Sequence, residues 1–215
     1  MRTSEPIPVI YEDEYLLAID KPAGLDSVPG PNVYRYVLSE FGRVGVFLLH
    51  RLDRNTSGIL LLGKIRRHRT ALEGILTDPD TVKTYTALVK GVVEKDSGVI
   101  KKMLPARTVD LFVNAITEYK VLKRFENVTL VEARIKTGRK HQIRLHFAGL
   151  GHPVVNDTEH GDFGWNKKFQ RRHKTKRLFL HASSIEFTHP ITKEHLIIRS
   201  ELPPKLITAI STLIV

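Results

Sequence analysis

Residues 50–64 read HRLDRNTSGILLLGK, which sets one carboxylate, Asp53, between two arginines directly ahead of an apolar run. The apolar residues 59–62 lie between two glycines, a pattern that predicts a short buried strand. The polar residues before it are therefore predicted to form a loop anchored to a rigid edge, and such loops often carry function. The alternative for Asp53 is structural: it pairs with a flanking arginine, or it caps a turn with Thr56 and Ser57.

Composition limits the class of protein. With 215 residues and 41% hydrophobic content, the chain can bury one substantial core, and we predict a single domain over residues 1–215. The formal charge of +11 suits a polyanionic partner such as nucleic acid, although a basic surface can also serve solubility alone. The absence of cysteine excludes disulfides, thiolate metal sites and thiol catalysis. Neither a signal peptide nor a membrane-span pattern is visible, so we expect a cytoplasmic protein with no membrane partner.

Hydrophobic patterning predicts an α+β fold with a mixed, mainly antiparallel sheet and flanking helices. Strands are predicted at residues 9–10, 15–19, 59–62, 82–89, 112–122, 128–135, 178–187 and 195–199. Helices are predicted at residues 33–41, 68–76 and 138–150, and after residue 204, where Leu206, Ile207, Ile210 and Leu213 would share one face.

A second segment, residues 137–146, reads TGRKHQIRLH and places cations at a predicted strand-to-helix junction. The start of a helix attracts phosphate, so this segment is a candidate RNA contact. His141 and His146 are five positions apart and do not share a helical face as zinc-binding histidines four apart would. We therefore predict no metal site.

Two further segments add aromatic residues. Lys83 and Tyr85 lie on the same face of a predicted strand, where an isolated tyrosine is ordinarily a packing residue. Residues 163–177 combine aromatic side chains with seven cations: Lys167, Lys168, Arg171, Arg172, Lys174, Lys176 and Arg177. We predict a loop or extension that grips RNA outside the active site, with a solvated charged loop as the alternative.

Taken in order, these segments resemble the pseudouridine synthases of the RluA family, from residue 9 to about residue 203. The resemblance begins with Glu12-Asp13 and Lys21-Pro22-Ala23-Gly24. It continues with H-R-L-D-x-x-T-S-G at residues 50–58, K-x-Y-x-A at 83–87, T-G-R-x-H-Q-I-R-x-H at 137–146 and L-H-A-x-x-x-x-F-x-H-P at 180–190. No single fragment would suffice, but their order makes coincidence an inadequate explanation.

The chain departs from the family pattern in two places. Asn156 stands where the family usually has glycine before an aspartate, and because asparagine also tolerates a positive φ, we predict that the turn is kept. Because the resemblance starts close to the first residue of the sequence, we expect no small S4 RNA-binding domain of the kind that many relatives carry. Residues 157–162 resemble the TruC-type tRNA branch more than the large-subunit rRNA branches.

The resemblance implies an RNA pseudouridine synthase with a central basic cleft, isomerising specific uridines in tRNA or 23S rRNA. It implies that Asp53 is catalytic, that Tyr85 packs on the target base, that Arg144 is the partner of the aspartate, and that Arg51 fills the space of the flipped base. His141 and Ile143 are expected at the substrate. The expected RNA contacts are Arg54, Arg139, Lys140, Lys167, Lys168, Arg171 and Arg172.

The chemistry explains why such a site needs few groups. Isomerisation breaks the N1–C1′ bond and forms a C5–C1′ bond with no redox change and no group transferred to another molecule, so we expect no metal and no cofactor. It needs one ionised carboxylate beside the sugar, as nucleophile or as base, and a cation nearby favours that ionised form. The base must first leave its stack, which calls for replacement contacts. We expect a monomer without an obligatory protein partner.

Two other classes of function are compatible with a basic α+β protein. One is a non-catalytic RNA-binding module or RNA chaperone that retains the fold. The other is a metal-dependent nuclease or phosphotransferase, for which the sequence offers neither paired carboxylates at a ligand spacing nor a phosphate-binding glycine loop.

Overall fold

The structure, a computed structural model, describes residues 6–27, 45–105 and 111–214. The chain forms two compact units, one of Met1–Val82 with Ala182–Glu201 and one of Lys83–His181 with Leu202–Val215. The helix predicted at residues 33–41 lies outside the described residues. In the three ranges that are described, none of the helices combines the length and apolar character that a membrane crossing requires.

Over the residues that the structure describes, the first unit is a sheet with one short α-helix. Its strands are β1 (Val9–Glu12), β2 (Leu16–Lys21), β3 (Phe47–Leu48), β4 (Ser57–Gly63), the part of β9 (Leu180–Thr188) from residue 182 onward, and β10 (His195–Arg199). The strand order is β1-β2-β4-β9, with β3 also paired to β4 and β10 to β9. A 3-10 turn (Arg66–His68) leads into helix α1 (Arg69–Gly74), which replaces the single helix predicted at residues 68–76.

Strand β4 is the centre of this unit, and the prediction of a buried strand at residues 59–62 is confirmed. Every residue of β4 is buried, and Ile59 and Leu61 pack in one apolar cluster with Leu16 and Leu72. Gly58 has a φ of 106°, and a Cβ there would lie 2.2 Å from the carbonyl oxygen of Ala182. Only glycine fits this close approach, so β4 is fixed against β9 at the end where the Asp53 loop enters.

The second unit contains an antiparallel sheet of β5 (Val82–Lys90), β6 (Ser97–Pro105), β7 (Phe112–Arg124) and β8 (Val128–Ile135), in the order β5-β8-β7-β6. Its helices are α2 (Gln142–Gly149), α3 (Phe163–His173) and α4 (Pro204–Ser211). Phe147 of α2 packs in the cluster that contains Val131 of β8. Phe169 of α3 packs in a second cluster with Leu206 of α4. The sheet and its helices therefore share two apolar cores.

The second unit differs from the sequence prediction in its strands and in the start of α2. Strand β8 has the predicted bounds, but β6 was not predicted, because its exposed residues outnumber its buried ones and only Ile100 and Leu104 are buried. Helix α2 begins at Gln142 rather than at residue 138, because His141 adopts a left-handed φ of 55°, which a right-handed helix cannot include.

Two predictions near the C-terminus were wrong in part. Residues 163–173 form helix α3, not the predicted loop, with Asp162 capping the helix by accepting a hydrogen bond from the amide of Trp165 at 2.9 Å. Of the predicted apolar face, Leu206, Ile210 and Leu213 do pack in or against one cluster together with Ala209, whereas Ile207 is 52% exposed. The prediction had placed Ile207 on the apolar face, but three-residue spacing from Leu206 selects position 209 instead.

Candidate active site

The loop that carries Asp53 is held by main-chain contacts within the first unit. Leu52 is buried, and the hydroxyl of Ser27 donates to its carbonyl at 2.9 Å and accepts from its amide at 3.2 Å. The amide of Thr56 donates to the carbonyl of Asp53 at 3.0 Å, which forms the turn into β4. The backbone is therefore fixed on both sides of the aspartate, and the Asp53 side chain is half-buried.

A fully buried lysine supports the same loop. The ammonium of Lys21, at the end of β2, donates to the carbonyls of Pro22 at 3.0 Å, Leu25 at 2.8 Å and Arg54 at 3.2 Å. A buried ammonium is tolerated only when its protons are bonded, and here three carbonyls accept them. Lys21 thus ties β2 to the residue that directly follows Asp53.

The arginines on either side of Asp53 are both exposed. Nε of Arg54 donates to the carbonyl of Gly24 at 3.2 Å and lies 4.0 Å from the carboxylate of Asp26. Arg54 therefore contacts the 24–26 segment. The guanidinium of Arg51 is placed where a polyanion can reach it, as an exposed side chain of the loop.

Arg144, on α2 in the second unit, is held by two carboxylates. Its Nε donates to Oδ2 of Asp157 at 2.6 Å and its Nη2 to Oδ1 of the same residue at 2.7 Å. Nη2 also donates to Oε1 of Glu159 at 2.9 Å. The Arg144 side chain is only 4% exposed and that of Asp157 is fully buried. Such a bidentate pair fixes the plane of the guanidinium as well as its position.

The charges at this clamp stabilise one another. Burial alone raises the pKa of Asp157, but the hydrogen bond from Arg144, the amides of His160 and Glu159 and the arginine charge outweigh it, so that the pKa lies below its usual value. The hydrogen bond from Arg144 likewise lowers the pKa of Glu159. Both carboxylates are therefore ionised at neutral pH, and Arg144 is compensated in its buried position.

His141 extends the clamp towards a second histidine. Its Nδ1 lies 2.9 Å from Nε2 of His160 and 3.6 Å from Oε2 of Glu159. These three residues have ligand atoms close enough to hold a metal ion. The other carboxylate oxygen of Glu159 binds Arg144, however, and a fixed positive charge at that distance opposes a dication. The group is better described as a hydrogen-bonded ion network, and the absence of a metal stays a prediction.

Sequence reasoning did not identify Asp157, Glu159 and His160 as the partners of Arg144 and His141. The sequence feature that could have pointed to them is the turn predicted before Asp157, where Asn156 does have the predicted positive φ, at 63°. This turn brings a residue thirteen positions from Arg144 back against α2. His146, the other histidine of the segment, hydrogen-bonds the hydroxyl of Thr117 at 2.8 Å, and burial lowers its pKa.

The remaining predicted substrate residues of this unit occupy β5, the turn before α2, and α2 itself. Tyr85 is half-buried and packs against the apolar cluster that contains Ile143, which is 4% exposed. Lys83 is half-buried, and burial lowers its pKa. Arg139 is half-buried and Lys140 exposed in the turn before α2. Ile143 is thus a core residue of the second unit, whereas Lys140 faces solvent.

Helix α3 presents the predicted basic cluster on one face. Lys167, Lys168, Arg171 and Arg172 are all exposed, and their spacing of one and four residues places them side by side. The opposite face buries Phe169. These four of the residues named as RNA contacts therefore form an ordered helical surface, which we call the basic face of α3.

Within the second unit, the structure brings Arg144 and His141 together with the Asp157 turn. Asp53 belongs to the first unit, and the predicted convergence of Asp53, Tyr85 and Arg144 stays a prediction. The same holds for the individual roles of the substrate and RNA contacts.

Comparison with known proteins identifies relatives over nearly the whole chain. Residues 15–149 match the family described as RNA pseudouridylate synthase. The chain is 35% identical to a protein named tRNA pseudouridine synthase C from Vibrio parahaemolyticus, over 91% of this chain and 90% of that protein. It is 34% identical to a ribosomal large subunit pseudouridine synthase C from Vibrio vulnificus, over 95% of this chain and 69% of that protein.

Solved structures give the same fold. The chain superposes on the structure titled human RNA pseudouridylate synthase domain containing 4 with a TM-score of 0.80 and 24% identity, covering 95% of this chain and 92% of that one. For the human domain-containing 1 protein, the TM-score is 0.79 at 20% identity, covering 94% and 87% of the two chains. The predicted α+β fold is therefore confirmed.

Proposed function

The chain belongs to the RNA pseudouridylate synthase family, and on that premise we propose that Asp53 is the carboxylate that acts at the sugar of the target uridine. The protein is an RNA pseudouridine synthase, an isomerase whose substrate is RNA. The observation that carries the role of Asp53 is its rigid backbone: the Thr56 turn, the hydrogen bonds of Ser27 to Leu52 and the Lys21 ammonium hold the main chain on both sides of this half-buried carboxylate. A reacting group must be held in this way to attack a fixed bond.

Arg144 is proposed to supply the fixed positive charge of the site, next to Asp53. Asp157 binds two nitrogens of its guanidinium and so fixes its plane. A planar cation oriented in advance stabilises negative charge without reorganisation during the reaction. Tyr85, half-buried on β5, is proposed to cover the flipped uracil, and Arg51 to occupy the space that it leaves.

We propose tRNA as the substrate class. Proteins named tRNA pseudouridine synthase C from three Vibrio species are matched over 90 to 91% of their own length and one from Pectobacterium carotovorum over 58%, whereas a ribosomal relative is matched over 69%. Helix α3 supplies an exposed basic face that suits an RNA backbone. We further propose that the enzyme acts as a cytoplasmic monomer. We also propose that it needs no cofactor, because this isomerisation neither changes an oxidation state nor transfers a group to another molecule.

The role of Asp53 is tested with Asp53→Asn, which removes the charge at nearly constant volume. Conversion of uridine in unmodified tRNA should fall to the assay background, while the dissociation constant for RNA should stay within about twofold, because the phosphate contacts remain. Asp26→Asn, a nearby carboxylate that is partly exposed, is the matched control and should keep normal turnover. Turnover of Asp53→Asn near the wild-type rate would exclude Asp53 as nucleophile or base.

The substrate class is tested by mapping pseudouridine in total RNA from a strain that lacks the gene. We expect a uridine in tRNA to lose its modification, the wild-type gene to restore it, and the Asp53→Asn gene to leave it unmodified. A site lost only from ribosomal RNA would refute the tRNA proposal. A strain with unchanged tRNA and ribosomal RNA would instead favour a non-catalytic RNA-binding module.

A further inference from the structure

Asn166, on α3, uses its side-chain amide to hold the turn that positions Arg144. Its Oδ1 accepts a hydrogen bond from the amide of Asn156 at 2.9 Å, and its Nδ2 donates to the carbonyl of Asp157 at 3.0 Å. Asn166 is 5% exposed. The amide oxygen therefore accepts from one residue of the turn and the amide nitrogen donates to the next, so both polar atoms of the side chain bind the backbone of the turn.

The turn itself has little freedom once these bonds form. Asn156 lies in the left-handed region, and its own Nδ2 donates to the carbonyls of Thr175 at 3.1 Å and Arg177 at 3.0 Å. A Cβ at Gly161 would lie 2.2 Å from the carbonyl oxygen of Asp157, so the chain after the turn also packs closely on it. The carboxylate of Asp157 then meets Arg144 from a backbone that is fixed on both sides.

Helix α3, which carries Asn166, has anchors besides its bonds to this turn, which include one from Nε2 of Gln170 to Oδ1 of Asn156 at 3.3 Å. Asp162 caps the helix and forms an ion pair with Lys90 of β5 at 2.6 Å. Phe169 is buried and stacks on Trp165, with the ring centroids 5.1 Å apart. Asn166 therefore connects a helix with its own support to the loop that holds Arg144.

The two sides of α3 have different chemistry. The basic face is exposed and suits phosphate, while Asn166 points in the opposite direction, into the Asp157 turn. We propose that Asn166 is a positioning residue that sets the Asp157–Arg144 clamp in register with RNA bound on the basic face of α3. This inference rests on the proposed roles of Arg144 and of the basic face.

The experiment uses two substitutions of Asn166 in the full chain. Asn166→Asp keeps the acceptor for Asn156 but puts an oxygen opposite the carbonyl of Asp157, and Asn166→Leu removes both bonds at similar volume. Single-turnover conversion of saturating tRNA should slow by about tenfold to a hundredfold, because a displacement of about 1 Å at the reacting groups costs about that much. The dissociation constant for tRNA should stay within about twofold, since the basic face is unchanged.

Phe169→Leu is the matched control, because it loosens the packing of the same helix without removing a hydrogen bond to the turn. It should lower the melting temperature at least as much as Asn166→Asp, yet retain the wild-type single-turnover rate well below that temperature. A wild-type rate in Asn166→Asp, or an equal loss of rate in Phe169→Leu, would overturn the positioning role. If Asn166→Leu does not fold, Asn166→Asp alone decides between these outcomes.

Arg144→Lys separates failure of this inference from failure of the proposed function. Full activity in Arg144→Lys would refute the need for an oriented guanidinium at this position and with it the reason for the clamp. Loss of activity in Arg144→Lys together with wild-type rates in both Asn166 variants would refute only the positioning role.

Discussion

Arg144 and the basic face of α3 place the same kind of charge in opposite surroundings. Arg144 is 4% exposed, with two carboxylates on its guanidinium, whereas Lys167, Lys168, Arg171 and Arg172 are exposed on one helical surface. A buried, bonded cation has a fixed direction and is costly to disturb. An exposed cation on a long side chain is adaptable, and its attraction to a polyanion is weakened by salt.

This difference in burial distinguishes two tasks of the cations, orienting the reaction and binding the RNA backbone, which net charge alone does not distinguish. The charge of +11 predicts an RNA partner, but it does not distinguish the cation that orients chemistry from the cations that hold the substrate. Burial and partners make that distinction. Substitutions on the buried side should change stability and rate, and substitutions on the exposed side should change RNA affinity and its salt dependence.

The largest effect is expected from Asp157→Asn, because it leaves the buried Arg144 with one partly exposed carboxylate. Removing one partner of a buried ion pair costs about 3 to 5 kcal/mol of unfolding free energy. The pKa of Asp157 is lower in the folded chain than its usual value of 3.8, so its ionised form stabilises the fold above about pH 4 and loses that effect as pH falls through the folded pKa. Urea unfolding between about pH 7 and pH 3 should show the two proteins converging only at the acid end.

Asp96→Asn is the control for this comparison. Asp96 pairs with Arg124 at 2.7 Å, but its side chain is 89% exposed, so its loss should change the unfolding free energy little at any pH. Equal losses in the two variants would show that burial does not distinguish Asp157. A constant difference between wild type and Asp157→Asn down to the acid end would show that the charge of Asp157 is not what stabilises the clamp.

The next largest effect is expected from Arg144→Lys, and it is measured as a change in the single-turnover rate. Lysine keeps the charge but not the planar fork that binds both oxygens of Asp157. The single-turnover rate should fall about a hundredfold, the size of effect seen when one oriented donor is removed from an active site. Arg134→Lys, on the exposed side of the same unit, should retain the wild-type rate. An active Arg144→Lys enzyme would mean that any cation suffices and that the orientation imposed by Asp157 serves stability alone.

Sequence patterns predicted the parts of the site that are local. The Asp53 loop and β4 form one contiguous pattern, and the positive φ of Asn156 followed from its residue type. The partners of Arg144 were not predicted, because the pair with Asp157 depends on how a turn returns to α2. Lys21 was noted as part of a pattern, but its three carbonyl partners include one in a loop thirty-three positions away.

The sequence patterns failed to predict secondary structure where buried and exposed residues do not alternate regularly. Strand β6 exposes its lysines and buries residues only at positions 100 and 104, so its sequence lacks a two-residue period. The run of cations after Phe163 was predicted as a loop or extension because seven cations occupy the eleven positions from Lys167 to Arg177. Its buried side needs only Asn166 and Phe169, about one turn apart, to place the helix on its core. Such short contacts are specified by the tertiary structure rather than by a periodic pattern.

The smallest effect is expected on the exposed side, from changing Lys167, Lys168, Arg171 and Arg172 together to alanine. Affinity for tRNA should fall about tenfold or more near physiological salt, because each lost phosphate contact removes one counterion-release contribution. The slope of log K against log salt should flatten by up to about one unit per contact, while the rate at saturating tRNA stays nearly unchanged.

The control variant removes the same number of charges elsewhere. Alanine replaces four other exposed cations, Lys101, Lys120, Arg134 and Arg199, and this variant should flatten the slope less if location matters. If both quadruple variants give the same slope, RNA responds to net charge alone and the basic face of α3 is only a solvated surface. A wild-type slope in the α3 variant would show that other residues bind the substrate. A reduced rate at saturating tRNA would show that the basic face contributes to the chemical step as well as to RNA binding.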